Sequence, residues 1–261
     1  MFWLYFINLI YIDMKKIPQI NVFYWALIIS ANTMGETAGD LISQTFNLGY
    51  DGGTIALISL FFIALGFAIF SKIQHVFLYW TVITLASTAG TTLSDYVTRT
   101  LFRDSLGYSE NQGYLFGTIL LVIALGITFK IWHHFSKSSA LSEGLNPKTE
   151  FLYWIAILTS STLGTALGDL LAHATPLGFA GGTLLLLVLL GIVILITFFT
   201  KISREICYWL AIILTHPIGA TMGDYLTKPE GLNMGNIKAS LVLVLVFVIV
   251  IIAGKSKKQK V

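Results

Sequence analysis

Four times along this chain, a Tyr-Trp pair is followed by a glycine ten residues after the tryptophan and by an aspartate fifteen residues after it. The pairs are Tyr24-Trp25, Tyr79-Trp80, Tyr153-Trp154 and Tyr208-Trp209. The glycines are Gly35, Gly90, Gly164 and Gly219, and the aspartates are Asp40, Asp95, Asp169 and Asp224. A register kept to the residue four times is an internal repeat, and a repeat constrains architecture before any single motif is weighed. Successive aspartates stand 55, 74 and 55 residues apart. The surplus in the middle gap matches the polar stretch 133–150, with Ser136-Lys137-Ser138-Ser139 and Asn146-Pro147, which reads as a linker between two duplicated halves. A Leu-Gly-aromatic turn follows three of the aspartates (Leu48-Gly49-Tyr50, Leu106-Gly107-Tyr108, Leu177-Gly178-Phe179), and Leu232-Asn233-Met234 stands in its place in the fourth.

The repeats are written on an apolar background. Hydrophobic residues make up 56% of the chain and charged residues 11%, against about 25% charged in an ordinary soluble domain. Apolar runs of spanning length fall near 22–43, 53–71, 77–98, 113–132, 151–172, 181–200, 206–226 and 237–253. The expected fold is an all-α membrane protein with eight transmembrane helices, arranged as four two-helix repeats. Two helices per repeat is an even number, so the repeats run parallel across the bilayer. The expected organisation is an interfacial N-terminal segment (1–15), a first half with repeats one and two (16–132), the linker (133–150), a second half with repeats three and four (151–254) and a basic tail (255–261).

Twelve Lys and Arg residues fall on the side of the termini, whereas Arg99, Arg103, Lys228 and Lys238 fall on the other. By the positive-inside rule both termini are expected in the cytoplasm of a bacterial inner membrane. A net charge of +3 and the lack of a basic helix speak against nucleic acid as a partner. The single cysteine, Cys207, excludes an intrachain disulfide. No cofactor motif is present, the bilayer is the one partner the composition implies, and oligomeric state has no signature in the sequence.

Each odd span carries a polar stripe at helical spacing. The stripes run through Thr33, Glu36, Thr37 and Asp40; through Thr88, Thr91, Thr92 and Asp95; through Thr162, Thr165 and Asp169; and through Thr221 and Asp224. Carboxylates inside a span are expensive, about 2.5–3.5 kcal/mol each on insertion scales, and stripes of this kind turn toward the bundle interior. Two readings compete for the aspartates: capping of local main chain, or a cation or proton pathway. Glu36 breaks the repeat symmetry, because its counterparts are Thr91, Thr165 and Ala220. With Asp40 it forms a like-charged pair one turn apart, which a bound cation, a shared proton or a basic neighbour would relieve. Glu36 and Asp40 are therefore the leading metal-ligand candidates. Carboxylate and hydroxyl oxygens suit hard cations such as Mg²⁺, Mn²⁺, Ca²⁺ or Na⁺. Beside each stripe lie small residues four apart: Gly35/Gly39, Gly90/Ser94, Gly164/Gly168 and Gly219/Gly223. This spacing lets helix backbones approach closely. His216 precedes Pro217 and is expected to bond a carbonyl that the proline leaves unpaired.

The blocks Gly35-Glu36-Thr37-Ala38-Gly39-Asp40, Gly164-Thr165-Ala166-Leu167-Gly168-Asp169 and Pro217-Ile218-Gly219-Ala220-Thr221-Met222-Gly223-Asp224 resemble a bacterial family of four-repeat membrane proteins of unknown function, often labelled membrane-anchored proteins. The resemblance runs from Lys16 to about Ile251 and implies the repeat architecture without supplying catalytic residues. Ser94 departs from the glycine pattern. A looser similarity links Glu36-Thr37-Ala38-Gly39-Asp40 to cation/proton exchangers with a Glu-x-Gly-Asp signature, as an analogy. The expected function is secondary transport of a small cation by the carboxylates of the odd helices. The rival is a non-transporting scaffold or partner-binding module. An enzyme is not expected: Thr37, Ala166 and Thr221 stand where intramembrane aspartyl proteases carry the first glycine of Gly-x-Gly-Asp, and no Ser/His or HExxH constellation is present.

Overall fold

A computed structural model describes residues 18, 20–70, 76–135 and 146–258. The expected interfacial segment and the middle of the expected linker, 136–145, lie outside these residues. The described chain is helical: α1 (Val22–Asp40), α2 (Gly49–Phe70), α3 (Val76–Asp95), α4 (Glu110–Phe135), α5 (Pro147–His173), α6 (Gly178–Phe199), α7 (Arg204–Thr227) and α8 (Asn236–Lys258). Asn21, Asn146 and Ser203 open α1, α5 and α7, each side chain accepting from a backbone N–H of the first turn. α4 and α5 run into the polar stretch from both sides, ending at Phe135 and beginning at Pro147.

Seven of the eight helices are long and apolar enough to cross a bilayer, which makes this a multi-pass membrane protein. The exception is α1. Its 19 residues include Asn32, Thr33, Glu36, Thr37 and Asp40, and these polar groups lower its hydropathy, although the sequence reading counted it as a span.

The odd and even helices have different surroundings. In α3, α5 and α7, 61–72% of the spanning window is buried, against 17–28% in α2, α4, α6 and α8. The core is therefore built chiefly by the odd helices, and the even ones add one buried stripe each, such as Leu57, Phe61 and Leu65 of α2. α1 packs on α3, α3 on α5, α5 on α7 and α7 back on α1, closing a ring of four. The even helices line the outside, and each packs chiefly on the next ring helix, the last closing back on the first: α2 on α3, α4 on α5, α6 on α7, and α8 on α1.

Glycine makes the ring tight. A Cβ on Gly35 would stand 2.3 Å from Ser87, on Gly90 2.5 Å from Ser161, on Gly164 2.4 Å from His216, and on Gly219 2.4 Å from Asn32. Each ring helix thus lays its glycine on the next helix around the ring, and the four contacts close the circle. The next layer repeats the arrangement with Gly39 against Thr91, Gly223 against Glu36 and, slightly looser, Gly168 against Ala220. Ser94, the fourth member, is fully buried.

One end of the ring is aromatic. Trp80, Trp154 and Trp209 are buried in the protein rather than set out toward lipid. Each tyrosine meets the tryptophan of the neighbouring ring helix: Tyr24 with Trp80, Tyr79 with Trp154, Tyr153 with Trp209 and Tyr208 with Trp25, at centroid distances of 5.4–6.0 Å. At the other end, Gly49, Gly107 and Gly178 adopt φ between +62° and +75° at the starts of the outer helices. The fourth member of this set is Gly235, φ +74°, and not the Leu232-Asn233-Met234 triplet named from sequence.

Candidate functional site

The four aspartates stand together at the end of the ring opposite the tyrosines. Asp40, Asp95, Asp169 and Asp224 are all nearly inaccessible. Their partners are side chains rather than local main chain. Four residues after each aspartate comes a nitrogen-bearing side chain: Gln44, Arg99, His173 and Lys228. Gln44 Nε2 donates to Asp40 Oδ1 at 2.6 Å and Arg99 Nε to Asp95 Oδ1 at 2.8 Å. Lys228 Nζ lies 3.5 Å from Asp224 Oδ1, and His173 Nε2 3.9 Å from Asp169 Oδ1. After Asp40 and Asp95 the chain widens into π-helical turns, Leu41–Thr45 and Tyr96–Ser105, a form of backbone frequent at functional positions.

Two of these side chains also reach across the ring. Arg99 lies 3.5 Å from Asp169 Oδ2, joining α3 to α5. The Lys228 ammonium bonds Asp40 Oδ2 and joins α7 to α1. Burial works against the charge on Lys228, but the Asp224 and Asp40 carboxylates outweigh it and hold its pKa well above the ordinary lysine value. Around Arg99 an outer rim forms: Glu110 at 3.2 Å, Tyr114 beneath the guanidinium at 5.2 Å, and His173 stacked on Tyr114.

Glu36 sits one layer deeper. Its Oε2 accepts from Thr91 at 3.0 Å and Thr165 at 2.8 Å, so α1 is tied to α3 and α5 at once. Thr91 and Thr165 are the repeat counterparts of Glu36, and their hydroxyls lie 3.4 Å apart. Three carboxylates, Glu36, Asp40 and Asp224, each offer an oxygen within 4.8 Å of the others. No ion is present in this structure. Cation–oxygen distances are about 2.0–2.6 Å for Mg²⁺ and Ca²⁺, so oxygens ringing one ion lie up to roughly 5 Å apart, and this donor set fits such an ion.

The sequence reading named five site threonines, and the structure divides them. Thr91 and Thr165 reach Glu36. Thr33, Thr37 and Thr221 do not join the cluster: each bonds a carbonyl of its own helix, a common resort for a hydroxyl in an apolar helix. Thr37 also meets Ser240 of α8, and Thr221 meets Thr183 of α6. Of the two candidate metal ligands, Glu36 and Asp40, each carboxylate lies beside the other and beside that of Asp224. His216 Nδ1 lies 2.9 Å from the carbonyl of Ile212 and not from that of Ile213, the carbonyl that Pro217 leaves without its helical donor, so the expected bond is made one residue away.

The sequence reading missed Gln44, Arg99, His173 and Lys228 as one set. Their constant offset from the aspartates was the signal. Arg99 and Lys228 also belong to the basic residues on the side opposite the termini, and that placement masks their pairing with the aspartates.

A family model described as a Repeat of Unknown Function (DUF347) matches this chain four times, at residues 23–74, 78–138, 152–203 and 207–259. No curated protein and no solved structure matches.

Proposed function

The chain belongs to the DUF347 repeat family, whose name carries no activity, and we propose that it is a secondary transporter of a small hard cation, a divalent metal or sodium, with or without proton coupling. The observation that carries this reading is the Glu36, Asp40 and Asp224 oxygen cluster, built inside the ring from α1 and α7. Around it five buried carboxylates (with Asp95 and Asp169) face two bases, Arg99 and Lys228. Five against two leaves three negative charges, and buried charge without a partner is costly. A cation or proton supplies the missing partner. Lys228 holds the cation's place in the empty state, and an arriving cation displaces the ammonium and loosens the α7–α1 joint.

In this proposal the molecule consists of four parallel two-helix repeats in two duplicated halves. It lies in the bacterial inner membrane, with both termini and the tyrosine end toward the cytoplasm. Each family match covers two helices, which supports both termini on one side, and the skew of Lys and Arg supports the cytoplasmic side. It is a carrier and not an enzyme. The aspartates pair through bases rather than sharing a proton with each other, and that weighs against a protease-like dyad.

Liposomes loaded with a fluorescent cation indicator, tested with Na⁺, Mg²⁺, Mn²⁺ and Ca²⁺, provide the test. Wild-type protein carries one of these ions, and Asp40→Asn and Asp169→Asn abolish the flux; flux in both variants at the wild-type level rejects the proposal. The alternative, a non-transporting scaffold, is favoured by the fact that every aspartate has a side-chain donor within 4 Å. A stably co-purifying partner together with no ion-dependent thermal shift selects it.

A further inference from the structure

At the aromatic end the four tyrosines turn their hydroxyls toward one another. Tyr24 bonds Tyr79 at 2.8 Å, Tyr79 bonds Tyr153 at 3.1 Å, Tyr153 bonds Tyr208 at 2.9 Å, and Tyr208 bonds Tyr24 at 2.9 Å. The circle is closed, and one hydroxyl comes from each ring helix. Four protons serve four contacts, so every hydroxyl donates once and accepts once and no donor is left for water. With sides of this length at least one pair of diagonal oxygens lies within about 4 Å, whereas a water between them needs roughly 2.8 Å on each side. Neither water nor a hydrated ion fits through. All four tyrosines are at least 95% buried, and the tyrosine–tryptophan contacts form a collar around them.

Packing alone does not call for this arrangement. Four phenylalanines fill the same space without burying four hydroxyls, and a buried hydroxyl is costly unless it is bonded. A ring that satisfies itself when closed, and presents oxygens when parted, has the chemistry of a gate for a cation. Since its four bonds join α1 to α3, α3 to α5, α5 to α7 and α7 to α1, any separation of ring helices at this end breaks it. The Lys228–Asp40 and Arg99–Asp169 bridges close the ring helices in pairs at the opposite end.

We infer that the Tyr24, Tyr79, Tyr153 and Tyr208 hydroxyl ring is the inner gate of the axial pathway: it seals the ring when closed, and its parted hydroxyls line the way for the departing cation. This rests on the cation-pathway reading above, and the experiment separates the two. Proton leak is followed with a pH-sensitive dye in liposomes holding wild-type protein, Tyr153→Ala, or Phe67→Ala as an aromatic control on the exposed face of α2. The ring predicts tight wild-type and Phe67→Ala liposomes and a Tyr153→Ala leak faster by roughly tenfold or more, the ratio for about 1.4 kcal/mol less barrier. A tight Tyr153→Ala protein, or a wild type that leaks as fast, overturns it. Should Tyr153→Ala not fold, the chain with all four tyrosines changed to phenylalanine decides, since it keeps the shape and loses the oxygens. Loss of cation flux with ion binding retained supports the gate, and undiminished flux overturns it. Wild-type protein that moves no cation removes the transport reading, while the leak comparison still decides whether the ring seals the axis.

Discussion

Lys228 and Glu36 show how one side chain sets the balance of the whole site. Lys228 is a tethered cation between Asp40 and Asp224, so Lys228→Gln should tighten cation binding. A coupling of ordinary size predicts a gain of about 5- to 150-fold, and calorimetric titration of the purified protein measures it. Arg99→Gln removes a charge beside the cluster rather than within it and should change affinity less. Lys228 also predicts a pH dependence. Its folded pKa is raised above the ordinary 10.5, so the stability it contributes is complete below that value and is lost only as pH climbs through the higher folded value. The melting-temperature difference between wild type and Lys228→Gln should therefore stay constant from neutral pH up to the lysine range and shrink above it. A difference that vanishes at neutral pH contradicts the bridge. Sequence alone showed Glu36 to be the odd member of its layer, because its counterparts lack charge. Lys228 and Arg99 were hidden by their place at helix ends, where a basic residue usually faces water.

At the scale of the helix, spacing and spans were legible because hydropathy and glycine periodicity are local properties. The ring helices approach one another closely at their glycines, and that geometry predicts opposite signs for one substitution at two kinds of site. At Gly90 and Gly219 an added Cβ meets backbone atoms of the next ring helix at 2.9 Å and 2.7 Å. Alanine there should destabilise the protein by about 1–3 kcal/mol or prevent assembly, the usual cost of overpacking. At Gly126 nothing lies within 4 Å. Alanine there should be neutral or should stabilise by up to about 1 kcal/mol, because glycine is the poorer helix former. Thermal unfolding in detergent separates the cases, and equal effects at Gly90 and Gly126 contradict the ring geometry. Local spacing does not say that Trp80, Trp154 and Trp209 pack on the tyrosine of the neighbouring ring helix, because that pairing forms only when the ring closes.

For the molecule as a whole, four-fold register made four like helices readable, and nothing in it said that each outer helix packs on the ring helix after it. That choice depends on which groove is open once the ring has closed, and so on three-dimensional shape. It has a consequence for assembly: α8 covers α1, and α4 covers α5, so each half of the chain completes the other. Fragments 1–140 and 141–261 should co-purify when expressed together, and neither should accumulate alone; independent accumulation of both would sink that packing order. The ion bridges lead to the same expectation, because Lys228–Asp40 and Arg99–Asp169 each join one half to the other. What the sequence could not supply was the identity of the neutralising partner, since charge balance is settled only when helices meet. The most direct measurement is a thermal-shift panel of Na⁺, Mg²⁺, Mn²⁺ and Ca²⁺ on purified protein, repeated with Asp40→Asn and Glu36→Gln. The account predicts that one ion stabilises the wild type, by about 2.7 kcal/mol at a hundred times its dissociation constant, and neither variant. Stabilisation of all three proteins alike, or of none by any ion, would contradict a cation site at these carboxylates.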